Sequence, residues 1–526
     1  MLSTEPLRSR RNHWMNQIAI HATTMPDAPA LRYLGKTLSW GELHWRVGRF
    51  ADALARRGVG PGDRVMILML NNTEYLESVF AINTLGAIAV PVNFRLTPPE
   101  IAYLVADSGA AVIITDAALS PLAAAVAVQS ADLRTHIVVG APADDGVLGY
   151  EDLIAENGEP HEPRDVTEDT AALIMYTSGT TGNPKGAVLT HLNMNSQALT
   201  CIRAMRYSPD DIAFCASPLF HIAGLGSIAS CFVLGALTVI HPLRAFDASE
   251  VLDAWESERA TSVFLVPAQW QVVCADPTVA QRDLRLRVIS WGAAPASDTV
   301  LRAMAQTFPN ALNVAVFGQT EMSPITCVLD GEDAIRKLGS VGKPIPTIAT
   351  RVVDDEMNDV AQGEIGEIVY RGPTLMREYW NNPRATAEAF AGGWFHSGDL
   401  VRLDEEGFVY VVDRKKDMII SGGENIYCAE VENVLFAHPR IREAAVIGRV
   451  DDKWGEVPVA IVAVEDTDDI SLADLEPHLN AHLARYKHPK ALVVVDALPR
   501  NAGGKVVKHE LRTLHGSPGL TPAVIG

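Results

Sequence analysis

The chain has few cysteines, and their spacing favours neither a disulfide framework nor a metal site. Six cysteines occur among 526 residues, and none forms a C-x-x-C pair, whereas zinc ligands usually come in closely spaced pairs. Isolated thiols are typical of proteins in a reducing compartment, so we expect a cytoplasmic protein. The six are Cys201, Cys215, Cys231, Cys274, Cys327 and Cys428.

Long hydrophobic runs are also absent. The most apolar stretch, 225–240, is shorter than the roughly 20 residues that a spanning helix needs, and Gly226 and Gly235 interrupt it. A buried helix followed by a buried strand explains this stretch better. The sequence therefore predicts no transmembrane segment, although it leaves peripheral contact with a membrane open.

The chain also lacks an excess of positive charge. The chain has 44 lysines and arginines against 64 aspartates and glutamates, which gives a formal net charge of −20. A nucleic-acid partner would need a basic face toward its phosphates, so nucleic acid is excluded as the main partner. Small anionic ligands are not excluded, because backbone N–H groups and a few lysines can bind them locally.

Helices and strands alternate through most of the chain. Ser39 is placed to cap a helix whose apolar residues recur at helical spacing, and residues 64–69 (RVMILM) have the pattern of a buried strand. This alternation predicts an α/β fold in which sheets are flanked by helices. We expect it to form a large N-terminal domain over residues 1–413.

The C-terminal part of the chain has a different pattern. Short helices and strands alternate from residue 430 onward, which predicts a compact α+β unit. Its boundary is placed at the charged run Asp413-Arg-Lys-Lys-Asp417, although spacing alone favours a solvated turn there. The second predicted domain is a small, mobile α+β domain over residues 414–526.

A loop rich in glycine and hydroxyl residues follows an apolar strand at 171–175. It consists of Tyr176-Thr-Ser-Gly-Thr-Thr-Gly-Asn-Pro-Lys-Gly186. Glycines let backbone N–H groups approach phosphate oxygens, hydroxyls donate hydrogen bonds, and the lysine neutralises charge. The loop is not a Walker loop, which needs G-x-x-x-x-G-K-[ST] and a helix directly after it. A flexible surface turn is the alternative for this segment taken alone, and the pattern favours it less than a phosphate loop.

This segment resembles the adenylate-forming superfamily of acyl-CoA synthetases, luciferases and peptide-synthetase adenylation domains. Four further motifs of the superfamily follow in the same order. They are Phe317-Gly-Gln-Thr-Glu321, His396-Ser-Gly-Asp399, the segment from Asp413-Arg414 to Ile420-Ser-Gly-Gly-Glu-Asn425, and Pro499-Arg-Asn-Ala-Gly-Gly-Lys505. The resemblance covers essentially the whole chain and is greatest to bacterial fatty-acid–CoA ligases.

The resemblance implies a ligase that uses ATP, Mg²⁺ and coenzyme A in two steps. A carboxylate attacks the α-phosphorus of ATP to give an acyl-adenylate and pyrophosphate, and the CoA thiol then displaces AMP. The C-terminal domain is expected to rotate about a hinge at Lys416 between the steps. A medium- to long-chain fatty acid is the favoured substrate. An aryl acid and transfer to a separate carrier protein stay open, as does a homodimer.

The resemblance also assigns residues to the nucleotide site. Glu321 is expected to hold Mg²⁺ together with Thr177, since Mg²⁺ is usually bound through one or two carboxylates plus substrate phosphates. The expected catalytic residues are Lys505, Thr320, Glu321 and Lys185. The expected ATP-binding residues are Thr177, Ser178, Gly179, Thr180, Thr181, Gly182, Lys185, Gly292, Ala293, Ala294, Phe317, Gly318, Gln319, Thr320, Asp399, Arg414 and Lys505.

The adenosine end of this site has one departure from the superfamily pattern. Phe317 stands where tyrosine is usual, so a ring remains to stack on adenine but a hydroxyl contact is lost. Asp399 has two acceptor oxygens that suit both ribose hydroxyls, and Arg414 is expected to reach the ribose as well. Without the other motifs, an Asx turn would explain Asp399 equally well.

Two further sites follow from the resemblance. Glycines near the hinge leave room for the pantetheine arm of CoA, and the expected channel is Ser421, Gly422, Gly423 and Glu424. The expected acyl pocket is lined by apolar or small residues, although some of them are equally well explained as core. These are His221, Ile222, Ala223, Gly224, Val266 and Trp270. His221 stands where amino-acid-activating relatives have aspartate, which disfavours an α-amino acid.

Overall fold

Two units of structure are present along the chain. The structure is a computed structural model, and it describes residues 11–140, 146–156, 158–177, 183–294, 296–422, 424–451, 453–464, 470–500 and 506–516. Within these ranges, contacts assign residues up to 177, 183–350 and 370–395 to the first unit, and residues 351–369 and those from 396 onward to the second. The predicted domain boundary at 413 stays a prediction.

The first unit contains a mixed sheet of nine described strands. Six neighbouring strands are parallel, and antiparallel strands complete both edges. The strand order is Lys343–Pro344, Ile325–Leu329, Leu312–Gly318, Val288–Gly292, Ser262–Leu265, Ile212–Cys215, Leu237–Ile240, Pro29–Tyr33 and Lys36–Ser39.

A second sheet of the first unit has eight described strands. Its parallel part ends at an antiparallel hairpin that carries the predicted phosphate loop between its two strands, Ala171–Thr177 and Lys185–Thr190. The strand order is Glu378–Tyr379, Lys185–Thr190, Ala171–Thr177, Ile88–Pro91, Arg64–Leu68, Val112–Asp116, Thr135–Val139 and Leu148–Gly149.

Helices connect these strands, as expected for parallel strands, which need crossover connections. The described α-helices of the first unit are Asn16–Thr24, Trp40–Arg56, Thr73–Thr84, Pro98–Ser108, Ser120–Ala127, Tyr150–Ala155, His191–Met205, Ile222–Leu234, Ala248–Glu258, Pro267–Ala275, Asp298–Thr307, Gly331–Arg336 and Pro383–Ala389. Its short 3₁₀ turns are Val279–Gln281, Thr320–Met322 and Ala391–Gly393.

Local sequence signals account for several of these boundaries. The Ser39 hydroxyl accepts a hydrogen bond from Glu42 N, and the Glu42 carboxylate accepts one from Ser39 N, which is a complete capping box. The apolar stretch 225–240 is a helix that ends at left-handed Gly235, followed by the strand Leu237–Ile240. Among the described residues, no helix is both long and apolar enough to cross a membrane.

The second unit is built on two sheets. Four strands pair in the order Ala349–Val353, Gly366–Arg371, Phe395–Leu403 and Val409–Arg414. Four more pair in the order Glu424–Ile426, Ile419–Ser421, Gly455–Val464 and Ile441–Asp451, and Ala491–Val494 pairs with Gly455–Val464. Its described helices are Cys428–Phe436, Leu472–His482 and Lys508–His515, with a 3₁₀ turn at Arg485–Lys487.

The core of this α+β unit follows the period of two that a strand imposes. Val446 packs in one hydrophobic cluster, whereas its neighbours Ala445 and Ile447 pack in another on the opposite face. Both faces of the five-stranded sheet that contains Ile441–Asp451 are therefore covered. The predicted fold class, a large unit of helix-flanked sheets and a smaller α+β unit, is confirmed.

Candidate active site

Lys185 begins the strand that follows the predicted phosphate loop. The strand pairs with Ala171–Thr177, so that Gly186 lies opposite Tyr176. A Cβ atom on Gly186 would lie 2.6 Å from Ile174 Cγ2 and 3.3 Å from Trp380 Cβ, so glycine is needed for this close approach. The end of the loop therefore has a fixed position, from which Lys185 extends.

Glu321 lies in the 3₁₀ turn Thr320–Met322, directly after the strand Leu312–Gly318. Its side chain is largely buried, with 8% of the residue exposed. Carboxylate oxygen Oε1 accepts a hydrogen bond of 2.9 Å from the Tyr379 hydroxyl. The Glu321 backbone carbonyl accepts a hydrogen bond of 2.7 Å from Met376 N. Both contacts hold the acid in one orientation.

Tyr379 links the acid to the lysine, and sequence reasoning missed it. Its hydroxyl contacts Glu321, and its ring centroid lies 5.1 Å from Lys185 Nζ, a cation–π distance. The strand Glu378–Tyr379 pairs with Lys185–Thr190, so that Tyr379 faces Ala187. The available signal was the aromatic pair Tyr379-Trp380, which is too common to indicate a site.

Two segments that are expected to bind ATP, 292–294 and 317–320, meet at the carboxyl ends of two parallel strands. Gly292 pairs with Val316, and a Cβ atom on Gly292 would lie 2.2 Å from Val316 O. Ala293, Ala294 and Gly318 are exposed at this edge. Phe317, Gln319 and Thr320 are half-buried there. Ligands of open α/β sheets commonly bind outside such strand ends, so the grouping suits a nucleotide base.

The chemistry of Glu321 fits a magnesium ion carried by a nucleotide. Mg²⁺ bound with ATP is usually held through one or two carboxylates, the phosphates and waters. A buried carboxylate beside the end of the phosphate loop meets this need. In the described part of the chain, no cluster of three or more histidine, cysteine, aspartate or glutamate side chains is arranged to hold a metal alone. The Thr177 hydroxyl donates to Lys185 O at 3.4 Å.

In the second unit, Asp399 and Arg414 lie directly opposite each other on paired antiparallel strands. Arg414 Nε lies 2.7 Å from Asp399 Oδ1, and Asp399 is only 2% exposed. Arg414 also donates to the backbone carbonyl of Ser397 at 3.3 Å. The two residues that the resemblance assigns to ribose are therefore brought together by the fold.

The predicted hinge is held by the C-terminal helix Lys508–His515. Arg512 of that helix forms a 2.6 Å ion pair with Asp417, and Lys508 pairs with Glu432 at 2.7 Å. Burial lowers the pKa of Lys416 and raises the pKa of Asp413. Asp413 Oδ2 is buried without a hydrogen-bond partner in the described part of the chain. These contacts connect the hinge to the helix that follows the lysine motif.

Three residues of the predicted CoA channel, Ser421, Gly422 and Glu424, are described and lie in the second unit. Ser421 pairs with Glu424, and Gly422 has a left-handed φ of 61°. Gly422 N donates to Trp454 O at 2.7 Å, and a Cβ atom on Gly422 would lie 2.6 Å from Trp454 Cε3. Glycine is thus required here by Trp454, a neighbour that sequence reasoning missed.

The predicted acyl-pocket residues are divided between the surface and the core. His221 is exposed and caps the helix Ile222–Leu234, since its Nδ1 accepts a hydrogen bond from Ala223 N. Trp270 is fully buried, and its indole N–H donates to Ser290 O at 3.0 Å. Ile222 and Gly224 are also buried, whereas Ala223 and Val266 are half-buried. The position of Trp270 is that of a core residue.

A cavity lies deeper along the same helix. Its enclosed volume is only about 20 Å³, which is room for about one water molecule, so a larger ligand would have to displace the surrounding side chains. Its walls come from the strands Ile212–Cys215 and Ser262–Leu265 and from the middle of the helix Ile222–Leu234. The lining residues include Tyr207, Phe214, Ser217, Ser227, Ile228, Cys231, Ser262 and Phe264.

Seven predicted site residues lie outside the described residues, and their roles stay predictions. These are Ser178, Gly179, Thr180, Thr181, Gly182, Gly423 and Lys505.

The family follows from comparison with known proteins. Residues 18–380 match the family described as AMP-binding enzyme, and residues 430–505 match the AMP-binding enzyme C-terminal domain. The chain belongs to the AMP-binding enzyme family. The resemblance to the adenylate-forming superfamily is thereby confirmed.

Three curated relatives match almost the whole AMP-binding enzyme. A feruloyl-CoA synthase from Amycolatopsis sp. is 40% identical over 96% of this chain and 100% of its own length. An indoleacetate–CoA ligase from Aromatoleum aromaticum is 39% identical over 96% of this chain and 98% of its own length. A long-chain-fatty-acid–CoA ligase from Mycobacterium tuberculosis is 36% identical over 90% of this chain and 92% of its own length.

Solved structures give the same result. The o-succinylbenzoate CoA synthetase of Bacillus subtilis in complex with its acyl-adenylate intermediate has a TM-score of 0.85 and 32% identity, with 94% of this chain and 98% of that chain covered. The same enzyme with ATP and magnesium ion has a TM-score of 0.84 and 32% identity, with 94% and 99% covered. This chain is an adenylate-forming acid–CoA ligase. The prediction that it uses ATP, Mg²⁺ and coenzyme A is confirmed.

Proposed function

We propose that the enzyme joins coenzyme A to a carboxylic acid that carries an aromatic ring. The lining of the small cavity beside the helix Ile222–Leu234 supports this proposal, because aromatic side chains and hydroxyl groups share its wall. Phe214 and Phe264 offer apolar ring contacts, and the hydroxyls of Ser217 and Ser227 suit polar ring substituents. The observation that carries the proposal is the names of the feruloyl-CoA synthase and the indoleacetate–CoA ligase, at 40% and 39% identity.

A fatty acid, the substrate favoured by the sequence, is the second candidate. The relative from Mycobacterium tuberculosis supports it, at 36% identity. The walls first predicted for an acyl chain support it less, because Trp270 and Ile222 are buried in the core, with 0% and 1% of each residue exposed. We also expect the enzyme to form a homodimer and to be cytoplasmic.

A panel of acids with matched carbon number tests the substrate class. Cinnamic acid and nonanoic acid both have nine carbons, so they separate the ring from chain length. We expect kcat/KM for CoA-dependent AMP release to be about tenfold or more higher for cinnamic acid, and for its hydroxylated analogues, than for nonanoic or hexadecanoic acid. If the enzyme prefers the saturated acids, its substrate is a fatty acid and not an aryl acid.

Narrowing the cavity is expected to weaken binding of the acid but not binding of ATP. Ser227 lines the cavity, and its hydroxyl donates to Gly224 O at 2.8 Å. Leucine at this position occupies space that the ring would need, so Ser227→Leu should raise KM for the preferred acid about tenfold. The KM for ATP should not change. Steady-state kinetics with each substrate varied in turn measures both.

The matched control is Ser257→Leu, which makes the same change at an exposed position of the helix Ala248–Glu258. It should leave both KM values unchanged. An unchanged KM for the acid in Ser227→Leu would mean that the cavity is not the acyl site.

In the first half-reaction, the residues of the first unit act on the phosphates. The oxygen of the carboxylate substrate attacks the α-phosphorus, and the bond to pyrophosphate breaks. Lys185 lies on the ring face of Tyr379 and is placed to neutralise phosphate charge. Glu321, oriented by Tyr379, would hold Mg²⁺, which neutralises further charge on the phosphates when it is bound. By resemblance, Lys505 would approach the α-phosphate.

In the second half-reaction, the CoA thiol loses its proton and attacks the acyl carbonyl, and AMP leaves. Asp399 and Arg414 are proposed to hold the ribose of the nucleotide, because their paired side chains combine two acceptor oxygens with a cation. Ser421–Glu424 are proposed to line the path of the thiol. Rotation about Lys416 would exchange Lys505 for this segment between the two half-reactions.

Stiffening the hinge is expected to separate the two half-reactions. Proline at position 416 fixes φ near −65° and restricts the preceding residue, so Lys416→Pro should hinder rotation. Thioester formation from supplied acyl-adenylate should slow by about tenfold more than ATP-dependent adenylate formation. Stopped-flow assays of each half-reaction measure the difference.

Lys416→Ala is the control, because it removes the same side chain and leaves the backbone free. It should affect the two half-reactions similarly. Equal slowing of both half-reactions by Lys416→Pro would count against rotation at this residue.

A further inference from the structure

A buried carboxylate connects the two segments that carry the proposed ribose-binding pair. Glu367 lies in the strand Gly366–Arg371 and is only 4% exposed. Its Oε2 lies 3.0 Å from His396 Nδ1 and 3.2 Å from Lys415 Nζ. Its Oε1 accepts a hydrogen bond of 2.9 Å from Gly398 N. All of these residues belong to the second unit.

These partners flank the residues that are proposed to contact ribose. Gly398 immediately precedes Asp399, and Lys415 immediately follows Arg414. Gly398 has a left-handed φ of 71°, a conformation that needs glycine, and its carbonyl accepts a hydrogen bond of 2.9 Å from Lys415 N. Glu367 thus contacts the turn before the aspartate and the residue after the arginine at the same time.

The charge of Glu367 suits this linking position. Burial raises the pKa of its carboxyl, but hydrogen bonds from His396 and Gly398 and the charge of Lys415 bring the pKa below its ordinary value. The group is therefore a carboxylate at neutral pH. A buried ion pair is weak evidence for a gain in stability, because both charges lose their water. We therefore attribute to Glu367 an effect on the orientation of the segments that contain Gly398 and Lys415.

We propose that Glu367 is a positioning residue of the nucleotide site, which holds Gly398 and Lys415 so that Asp399 and Arg414 face the ribose together. The proposal rests on the proposed role of Asp399 in binding ribose. Glu367 does not itself contact the nucleotide. Its loss should therefore weaken nucleotide binding and leave binding of the acid unchanged. Residues that support metal ligands typically contribute about 10- to 100-fold to affinity, and we expect the lower end of that range for a residue that supports a ribose-binding pair.

Glu367→Gln tests the proposal, because glutamine keeps the size and one acceptor but loses the charge that holds Lys415. Titration calorimetry with AMP should show a Kd about tenfold higher than in the parent enzyme. In kinetics, KM for ATP should rise by a similar factor, and KM for the acid should stay constant. A change in both KM values, or in neither, would overturn the positioning role.

The matched control is Asp355→Asn, because Asp355 is the exposed second carboxylate on the same lysine. Its Oδ1 lies 2.7 Å from Lys415 Nζ, and its side chain is 77% exposed. Exposed ion pairs contribute little, so AMP affinity should not change. If Glu367→Gln fails to fold, Lys415→Gln removes the same ion pair by changing its other member, which is a half-exposed lysine. It should raise the Kd for AMP about threefold, and an unchanged Kd would reject the proposal.

Asp399→Asn separates this inference from the proposed function on which it rests. If Asp399→Asn leaves the Kd for AMP unchanged, the ribose site itself is wrong. If Asp399→Asn weakens AMP binding and Glu367→Gln does not, the site is right and the positioning role of Glu367 is wrong.

Discussion

Replacing Glu321 by glutamine is expected to reduce adenylate formation by about 10²- to 10³-fold. Glutamine keeps the size of the side chain and can still accept the hydrogen bond from Tyr379. It loses the negative charge, which is what a hard cation carried by ATP requires. The largest effect should therefore fall on the step that develops charge at the phosphates. Pyrophosphate exchange with ATP in the presence of the acid measures this step directly.

Glu378→Gln is the matched control for this change. Glu378 directly precedes Tyr379, the residue that contacts Glu321. Its side chain, however, is 41% exposed and pairs with Arg377. Its replacement should leave pyrophosphate exchange within about twofold of the parent, since exposed ion pairs contribute little. A Glu321→Gln enzyme that kept normal exchange would remove Glu321 from the magnesium site.

The magnesium dependence of the same assay distinguishes the roles of Glu321 and Tyr379. Tyr379→Phe keeps the ring over Lys185 but removes the hydroxyl that orients Glu321. Loss of such an orienting contact typically costs about 10- to 100-fold in metal affinity. The Mg²⁺ concentration for half-maximal exchange should therefore rise in Tyr379→Phe, whereas activity at saturating Mg²⁺ should largely return.

Replacing Lys505 by alanine should give the second large effect, a loss of about 10²- to 10³-fold in adenylate formation. The resemblance places this lysine at the α-phosphate only for the first half-reaction. Thioester formation from supplied acyl-adenylate should therefore remain within about threefold of the parent. Rapid-quench assays of the two half-reactions measure both rates.

Lys36→Ala serves as the control for this change, because Lys36 is exposed on an edge strand of the first unit. It should leave both half-reactions unchanged. Equal losses in the two half-reactions of Lys505→Ala would show that Lys505 is needed in both, and the exchange of segments between steps would then be wrong.

Local features of the chain were predictable because their causes lie within a few residues. Ser39 caps its helix through Glu42, three residues away, and the helix that ends at Gly235 stops where a left-handed residue is available. Thr190 likewise forms a capping box with Asn193, three residues further along the chain. Each signal depends on side-chain and backbone chemistry at short range.

Contacts between distant segments could not be predicted in this way. Tyr379 contacts Glu321 across 58 positions of the chain, and Glu367 contacts Lys415 across 48. A glutamate in a strand has no local property that distinguishes a linking carboxylate from a solvent-facing one. Trp270 gives the converse case, since its type suits a pocket wall but the packing of helices places it in the core.

The sequence by itself determined the family, the two-unit organisation and the chemistry, because motifs of fixed residue type and order carry all three. It also predicts Glu321, Lys185, Asp399 and Lys505 as the reactive set, and that assignment stays a prediction. Only the tertiary structure decided which side chains orient that set, as Tyr379 does for Glu321. The reason is physical: such contacts depend on how strands pair and helices pack, and these are properties of the whole fold.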